Sequence, residues 1–162
     1  MVEDHAVPTR MPDYGLFTAT RTAAFPRAWL IRAEPDMAPI ITNLRRHGLL
    51  IEELTQPLTA KAETFMVDSV STSERAFQGH REVKLKGHVQ TETLTFPQGS
   101  LLIRAGQPPG RLAFYLLEPE SDDGLTAWNF FDAWLANGKP YPVYRLTEEV
   151  RAASRTKEAK EN

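Results

Sequence analysis

Histidines are the side chains of this chain whose type first suggests a metal site. The sequence has four of them, His5, His47, His80 and His88. None stands in an H-E-x-x-H motif, which places two ligands on one helical face. The even spacing of His80 and His88 puts both on one face of an unbulged strand, and a third ligand would have to come from Glu82 or Glu92. Because exposed strand histidines are commoner than two-histidine metal sites, we predict no metal site here.

Carboxylates are densest in residues 118–124, where Glu118, Glu120, Asp122 and Asp123 precede Gly124. Oxygen ligands in such number are suited to a hard cation such as Ca²⁺, but the spacing is not that of an EF-hand loop. The alternative is a solvated acidic turn that caps a helix. The sequence favours this second interpretation.

Other catalytic arrangements lack essential parts. The chain has no cysteine, which excludes thiolate catalysis, disulfides and cysteine-bound zinc. The glycines of residues 106–110 are not followed by the Gly-Lys-Ser/Thr ending of a phosphate-binding loop, and the prolines between them remove N–H donors. Ser100 lacks the glycine two positions later that a nucleophile elbow requires. We therefore predict neither catalytic residues nor a cofactor in this chain.

Aromatic side chains cluster at Trp128-Asn129-Phe130-Phe131, with Trp134 close behind. Two opposite faces of a simple amphipathic helix do not both belong to one core. One face is therefore expected to fill a wide core or to pack on something outside the domain, with a ligand-stacking platform as the alternative. The candidate contact surface predicted from these residue types comprises His80, His88, Asp122, Asp123, Trp128, Asn129 and Trp134.

The elements that must position these residues begin with a βαβ pattern. The continuous apolar run 28–31 predicts a strand buried on both faces. A helix follows from the N-cap candidate Asp36 to a basic last turn, and Gly48 is the expected residue just after it. A second strand over 49–54 would lie parallel to the first through a right-handed crossover.

The remainder of the chain predicts antiparallel strands and then short helices. The predicted strands are 61–67, 82–95, 101–103 and 141–146. The predicted helix is 111–118, and a helix or helical turn is predicted over 125–135. Gly87 interrupts its strand and indicates a bulge or a close backbone approach. The fold class expected is α+β with a mixed sheet. Residues 1–24 are interpreted as an extended tether, 25–146 as a single domain and 147–162 as a frayed polar tail.

Composition limits the classes of partner that we expect for this 162-residue chain. A net charge of −2 does not favour nucleic acid. No apolar run of membrane-spanning length occurs, and the polar N-terminus lacks the apolar centre of a signal peptide. The chain is therefore expected to be soluble and to carry no targeting signal of its own.

Three stretches resemble the region after the catalytic domain in large bacterial carboxypeptidase A-like zinc metallopeptidases. They are Phe25-Pro-Arg-Ala-Trp-Leu-Ile-Arg-Ala-Glu34, Phe96-Pro-Gln-Gly-Ser-Leu-Leu-Ile-Arg-Ala105 with Gln107-Pro108, and Leu116-Leu-Glu-Pro-Glu-Ser-Asp-Asp-Gly-Leu-Thr-Ala-Trp-Asn-Phe-Phe131. The last is the most specific. Together the stretches make the resemblance extend over roughly residues 18–146.

The resemblance implies a non-catalytic C-terminal accessory domain. That family binds zinc through a His-x-x-Glu pair and a distant His, and this sequence contains no His-x-x-Glu. Zinc is therefore expected in the parent's catalytic domain, which would be the partner of this chain and would meet the peptide substrate. A secreted or periplasmic parent is implied. The alternative function is a free-standing module that binds peptide or saccharide.

Overall fold

A seven-stranded antiparallel sheet forms the body of the protein. The computed structural model describes Arg10, Pro12, Gly15, Thr18 and residues 22–156. The strands are β1 (Ala28–Ile31), β2 (Glu52–Leu54), β3 (Leu58–Thr72), β4 (Val83–Phe96), β5 (Leu101–Arg104), β6 (Pro140–Leu146) and β7 (Ser154–Thr156). Their order across the sheet is β4-β3-β6-β1-β5-β2-β7. The helices are α1 (Ala38–Arg46) and α2 (Gly110–Leu117), with 3₁₀ turns at Pro35–Met37 and Asp132–Trp134.

The fold is mainly β, and the predicted α+β class with a mixed sheet is wrong. The two α-helices are only nine and eight residues long, whereas β3 and β4 have 15 and 14 residues. Strands β1 and β2 run parallel to each other, as the β1–α1–β2 pattern predicted, but they are not neighbours in the sheet. Strand β5 lies between β1 and β2 and pairs antiparallel with both. The connection through α1 therefore skips one position in the sheet, and β5 occupies that position.

The aromatic stretch over 125–135, predicted as a helix or a helical turn, is a series of turns and not a continuous helix. Asn129 has φ +66°, a left-handed conformation that interrupts a right-handed helix. The amide of Phe130 donates to the carbonyl of Leu125, so the hydrogen bonds do not keep α-helical spacing. Only Asp132–Trp134 forms a regular turn, and it is 3₁₀.

The polar segment after Leu146 was predicted to fray, but its described part is attached to the sheet. Strand β7 pairs with β2, with Glu52 opposite Thr156. Val150 and Ala152 pack against a buried cluster. The predicted tether over 1–24 lies largely outside the described residues.

Strand β1 runs through the centre of the sheet, and its alternating side chains enter two cores. Trp29 and Ile31 belong to the larger cluster, which α1 and α2 cover. Ala28 and Leu30 face the smaller cluster on the opposite side. Continuous apolarity in β1 thus corresponds to burial on both faces, as the sequence predicted.

Two glycines have the roles predicted for them. Gly48 follows α1 with φ +79°, the left-handed conformation that ends many helices. A Cβ at Gly87 would lie 2.2 Å from the carbonyl oxygen of Met66, and the β3–β4 register shifts between Val67 and Ser69, beside this position. Gly87 is therefore a close backbone approach next to a bulge. None of the helices in the described part of the chain is long and apolar enough to cross a membrane.

Candidate functional site

A cleft of about 620 Å³ opens between α2 and the sheet and is called the α2 cleft. Its apolar wall comes from β3, β4, α2 and β6, through Phe65, Val89, Phe114 and Val143. Its other wall is the acidic turn that follows α2, including Glu118, Glu120 and Asp122. Thr18 and residues 22–24 also line the cleft, so part of the N-terminal region contributes to it.

Arg145 lies in this cleft between two carboxylates. Its Nη2 lies 2.8 Å from Glu63 Oε2, and its Nη1 donates to both carboxylate oxygens of Glu118 at 3.0 and 3.1 Å. The side chains of Arg145 and Glu118 are each 13% exposed, and that of Glu63 is 21% exposed. One guanidinium therefore pairs with two mostly buried carboxylates. The three side chains together carry one more negative charge than positive.

This excess acts on the protonation of Glu118. Burial raises the pKa of Glu118, Arg145 opposes the rise, and the charges of Glu63 and Glu120 add to it. The net pKa is above the ordinary value for a glutamate. Glu118 therefore takes up a proton more readily than an exposed glutamate, although a guanidinium lies beside it.

A second arrangement, the hairpin-tip cluster, consists of His80, Asp123, Trp128 and Asn129. The His80 ring stacks on Trp128 with centroids 4.2 Å apart, and His80 Nδ1 lies 3.0 Å from Asn129 Oδ1. Trp128 Nε1 donates to Asp123. These contacts join the β3–β4 connection to the turns after α2.

Asn129 is the centre of that junction. Besides its contact with His80, its Nδ2 donates to the Arg81 carbonyl at 3.1 Å and to Asp132 at 3.0 Å. These bonds compensate the left-handed backbone of Asn129. Asn129 therefore links the two loops, because its side-chain amide forms hydrogen bonds with protein atoms on both.

The other predicted contact residues lie apart from this cluster. His88 Nδ1 is 2.9 Å from Asp68 Oδ1, and Gln90 Nε2 is 3.0 Å from His88 Nε2. Trp134 Nε1 donates to Glu34 at 3.0 Å. Asp122 lies at the α2 cleft. The structure thus brings together four of the seven residues. His88 and Trp134 have partners elsewhere, and Asp122, next to Asp123 in the chain, lines the α2 cleft.

Metal ligands are not assembled by these residues. Within the described part of the chain, no group of three or more His, Cys, Asp or Glu side chains is placed to hold a metal ion. His80 precedes β4, whereas His88 lies within it, and each has its own hydrogen-bond partner. His5 lies outside the described residues.

Sequence reasoning missed Arg145 and Glu63. A usable signal was present in β6, where Tyr141, Val143 and Arg145 share one parity. Tyr141 and Val143 belong to the larger core, so Arg145 points to the same side of the sheet as these two residues. An arginine in that position requires buried partners.

Comparison with known proteins shows that the chain is similar in sequence to part of a fungal enzyme. Carboxypeptidase 2 of Trichophyton rubrum is 28% identical over 141 residues, which cover 83% of this chain and 26% of the relative. Carboxypeptidase 2 of Trichophyton equinum is 27% identical over 128 residues, which cover 79% and 23%. The probable carboxypeptidase 2 of Arthroderma benhamiae is 27% identical over 107 residues.

The extent of these matches is as informative as their names. The chain spans about a quarter of the length of the first two relatives. It is therefore similar to a region of a carboxypeptidase and not to a whole one. No family model matches the chain, and no solved structure matches it.

Proposed function

We propose that this chain is a non-catalytic accessory domain of a zinc carboxypeptidase and lies C-terminal to the catalytic domain. The similarity of most of the chain to about a quarter of fungal carboxypeptidase 2 carries this proposal. A domain of this kind acts through the surface that it presents to the catalytic domain and to the peptide. Zinc would be held by the catalytic domain, and the parent protein would be secreted or periplasmic.

The exposed apolar side chains of α2 and its neighbour Phe25 support a docking role. Tyr115 is 46% exposed, Leu112 36% and Phe25 51%. Phe25 packs against Phe114 with ring centroids 5.3 Å apart, so it belongs to the same surface. Exposed apolar groups gathered on one surface are typical of interaction sites. We assign this α2 surface to contact with the catalytic domain, where it would position the adjoining α2 cleft near the peptide.

The alternative, a saccharide-binding module, has less support from the geometry. Trp128 is already stacked on His80, and Trp134 lines a different region of the molecule. Neither tryptophan lines the α2 cleft within the residues that the structure describes. A sugar platform needs an open aromatic face beside polar groups, and these two rings do not share one.

The test removes from Trichophyton rubrum carboxypeptidase 2 the region that matches this chain. We expect the shortened enzyme to retain stoichiometric zinc and to hydrolyse a small acylated dipeptide, because its catalytic groups lie elsewhere. Its thermal stability, or its kcat/KM for longer peptides, should fall. Zinc content, circular dichroism and both substrates are measured together.

The accessory role is contradicted if the shortened enzyme stays folded by circular dichroism but loses zinc and dipeptide hydrolysis together. A complementary assay uses this chain alone. It should release no C-terminal residue from a peptide, and turnover with bound zinc would overturn the proposal. Tyr115→Glu in this chain, with exposed Leu50→Glu as its matched control, tests binding to the shortened enzyme, which is produced together with this chain if it does not fold alone. Loss of that binding in both variants would also contradict the α2 surface.

A further inference from the structure

A second cavity, of about 420 Å³, lies on the molecule at the end of β1 and the start of β6. We call it the Arg32 cavity. Much of its lining is apolar or aromatic and includes Met37, Trp134, Pro140, Pro142 and Tyr144. Three charged side chains, Arg32, Glu34 and Lys139, complete it. Such a mixture of a largely apolar wall and few charges is typical of a small-ligand site.

The charges of this cavity are unequally engaged. Glu34 accepts a hydrogen bond from Trp134 Nε1 at 3.0 Å. Arg32 and Lys139 form no ion pair with any residue that the structure describes. Two cations and one anion give the cavity an excess positive charge, which favours an anionic ligand.

Aromatic rings hold Arg32 in place without consuming its donors. The guanidinium carbon lies 5.4 Å from the centre of the Tyr144 ring and 5.9 Å from that of Phe96. Stacking on rings orders the planar fork, and the N–H groups at its edge stay available for bidentate binding of a carboxylate. The arginine is therefore positioned before a ligand arrives.

Tyr144 adds a hydroxyl to the same wall. The residue is 7% exposed, and its hydroxyl forms no hydrogen bond with a described residue. Burial raises the pKa of Tyr144, although the charge of Arg32 opposes the rise. The hydroxyl therefore keeps its proton at neutral pH and can donate it to an anion.

We propose that the Arg32 cavity binds a carboxylate flanked by an apolar side chain, as at the C-terminus of a peptide. Arg32 and Tyr144 would donate to the carboxylate, Lys139 would add long-range attraction, and Trp134 with the two prolines would contact the side chain. The charges and rings carry the carboxylate site. The choice of a peptide C-terminus rests on the proposed function, since such chain ends are what a carboxypeptidase meets.

The experiment titrates the full chain with N-acetyl-L-phenylalanine and follows the amide signals by NMR. A Kd on the order of 1 mM is expected for so small a ligand. N-acetyl-L-phenylalaninamide, which lacks the carboxylate, should bind at least about tenfold more weakly. N-acetyl-L-glutamic acid α-amide, which carries its carboxylate on the side chain, should also bind more weakly.

Variants assign the binding to this cavity. Arg32→Gln should weaken binding of N-acetyl-L-phenylalanine by about tenfold, and Tyr144→Phe by about threefold. Arg111→Gln, an exposed arginine of α2 that does not line the cavity, is the matched control and should bind like wild type. Thermal unfolding of each variant confirms that the fold is intact.

The proposal is overturned if the amide or the glutamic acid derivative binds as tightly as N-acetyl-L-phenylalanine. It is equally overturned if inorganic phosphate binds more tightly, or if Arg32→Gln stays folded and binds unchanged. None of these results affects the zinc content or the activity of the shortened Trichophyton enzyme. Failure of this site is therefore distinguishable from failure of the accessory role.

Discussion

Two arginines on strands of the same sheet are paired with glutamates in opposite ways. Arg104 of β5 donates through Nε and Nη2 to a single carboxylate, that of Glu52, at 2.7 and 3.2 Å. The Ser154 hydroxyl also donates to Glu52. Arg145 of β6 is shared by Glu63 and Glu118. The first cluster is balanced in charge, and the second carries one carboxylate more than its cation can neutralise.

The pKa values follow this balance. Burial alone would raise the pKa of Glu52, but hydrogen bonds from Arg104 and Ser154 and the charge of Arg104 lower it overall. For Glu118 burial prevails, and its pKa is raised despite Arg145. The comparison shows that an ion pair stabilises a carboxylate only where cations and hydrogen-bond donors exceed the penalty of burial.

Removing the shared cation should have the largest effect. Arg145→Met leaves Glu63 and Glu118 in a site that is at most 21% exposed, without a counterion. We expect the free energy of unfolding at pH 7 to fall by about 3 kcal/mol, as for other broken buried pairs. Urea unfolding measures it. Arg155→Met is the control, because Arg155 is 70% exposed and should cost less than about 1 kcal/mol.

Equal losses in the Arg145 and Arg155 variants would contradict a special role for the shared arginine. A loss of unfolding free energy that persists at pH 4 would contradict the electrostatic repulsion proposed as its cause. Protonation of Glu118, whose pKa is raised by burial, should remove most of the repulsion between the two glutamates there.

The balanced cluster should give an intermediate effect. Glu52→Gln removes the charge that Arg104 and Ser154 stabilise, and we expect a loss of about 1 kcal/mol at pH 7 for this partly exposed pair. Because the folded-state pKa of Glu52 is lowered, its stabilisation is present above the unfolded value of about 4.3. It is lost as the pH falls through the folded pKa. Unfolding free energies from pH 7 to pH 3 measure the difference.

The exposed Glu148→Gln serves as the control for this titration, since Glu148 is 70% exposed. Its difference from wild type should be small at every pH. A gap between wild type and Glu52→Gln that does not narrow with acid would show that the stabilisation is not electrostatic.

The surplus carboxylate should give the smallest effect. Glu118 has a raised folded-state pKa, so the folded protein gains stability as the pH falls through that value towards the unfolded one. Glu118→Gln imitates the protonated form and leaves Arg145 paired with Glu63. We expect unfolding free energy at pH 7 to change by less than about 0.5 kcal/mol, with any change favouring the variant. A loss above about 1 kcal/mol in the same urea experiment would show that Arg145 needs both carboxylates.

Local features of this fold were predictable because neighbouring residues decide them. The apolar run of β1 indicated burial on both faces, and Gly48 after a basic helical turn indicated the end of α1. Gly87 indicated a close approach, since a strand rarely admits glycine without a backbone reason. Each of these inferences needed only a few consecutive residues.

Features that depend on distant residues were missed. The pattern of β1, α1 and β2 contains no sign that β5 enters between the two strands, because the pairing energy comes from residues about fifty positions later. The spacing of Leu125, Trp128 and Phe131 indicated a helix, but the hydrogen bonds of Asn129 to His80 and Arg81 favour a left-handed residue there.

The candidate sites show the same division. Residue types marked the acidic turn and Trp128, yet their partners lie on other elements. In the sequence, Arg32 was only one residue of the stretch 25–34, which resembles the peptidase family. Its significance appears when Tyr144 of β6 is brought beneath it.

The central position of β1 has a consequence for the order in which this chain folds. Its neighbours are β5 and β6, which begin at Leu101 and Pro140. During synthesis β1 therefore has no strand to pair with until β5, about seventy residues further along the chain, leaves the ribosome. Closing such long loops costs entropy before any pairing is gained, and folds rich in distant contacts form slowly. The hairpin of β3 and β4, whose strands are close in sequence, is the element able to form first.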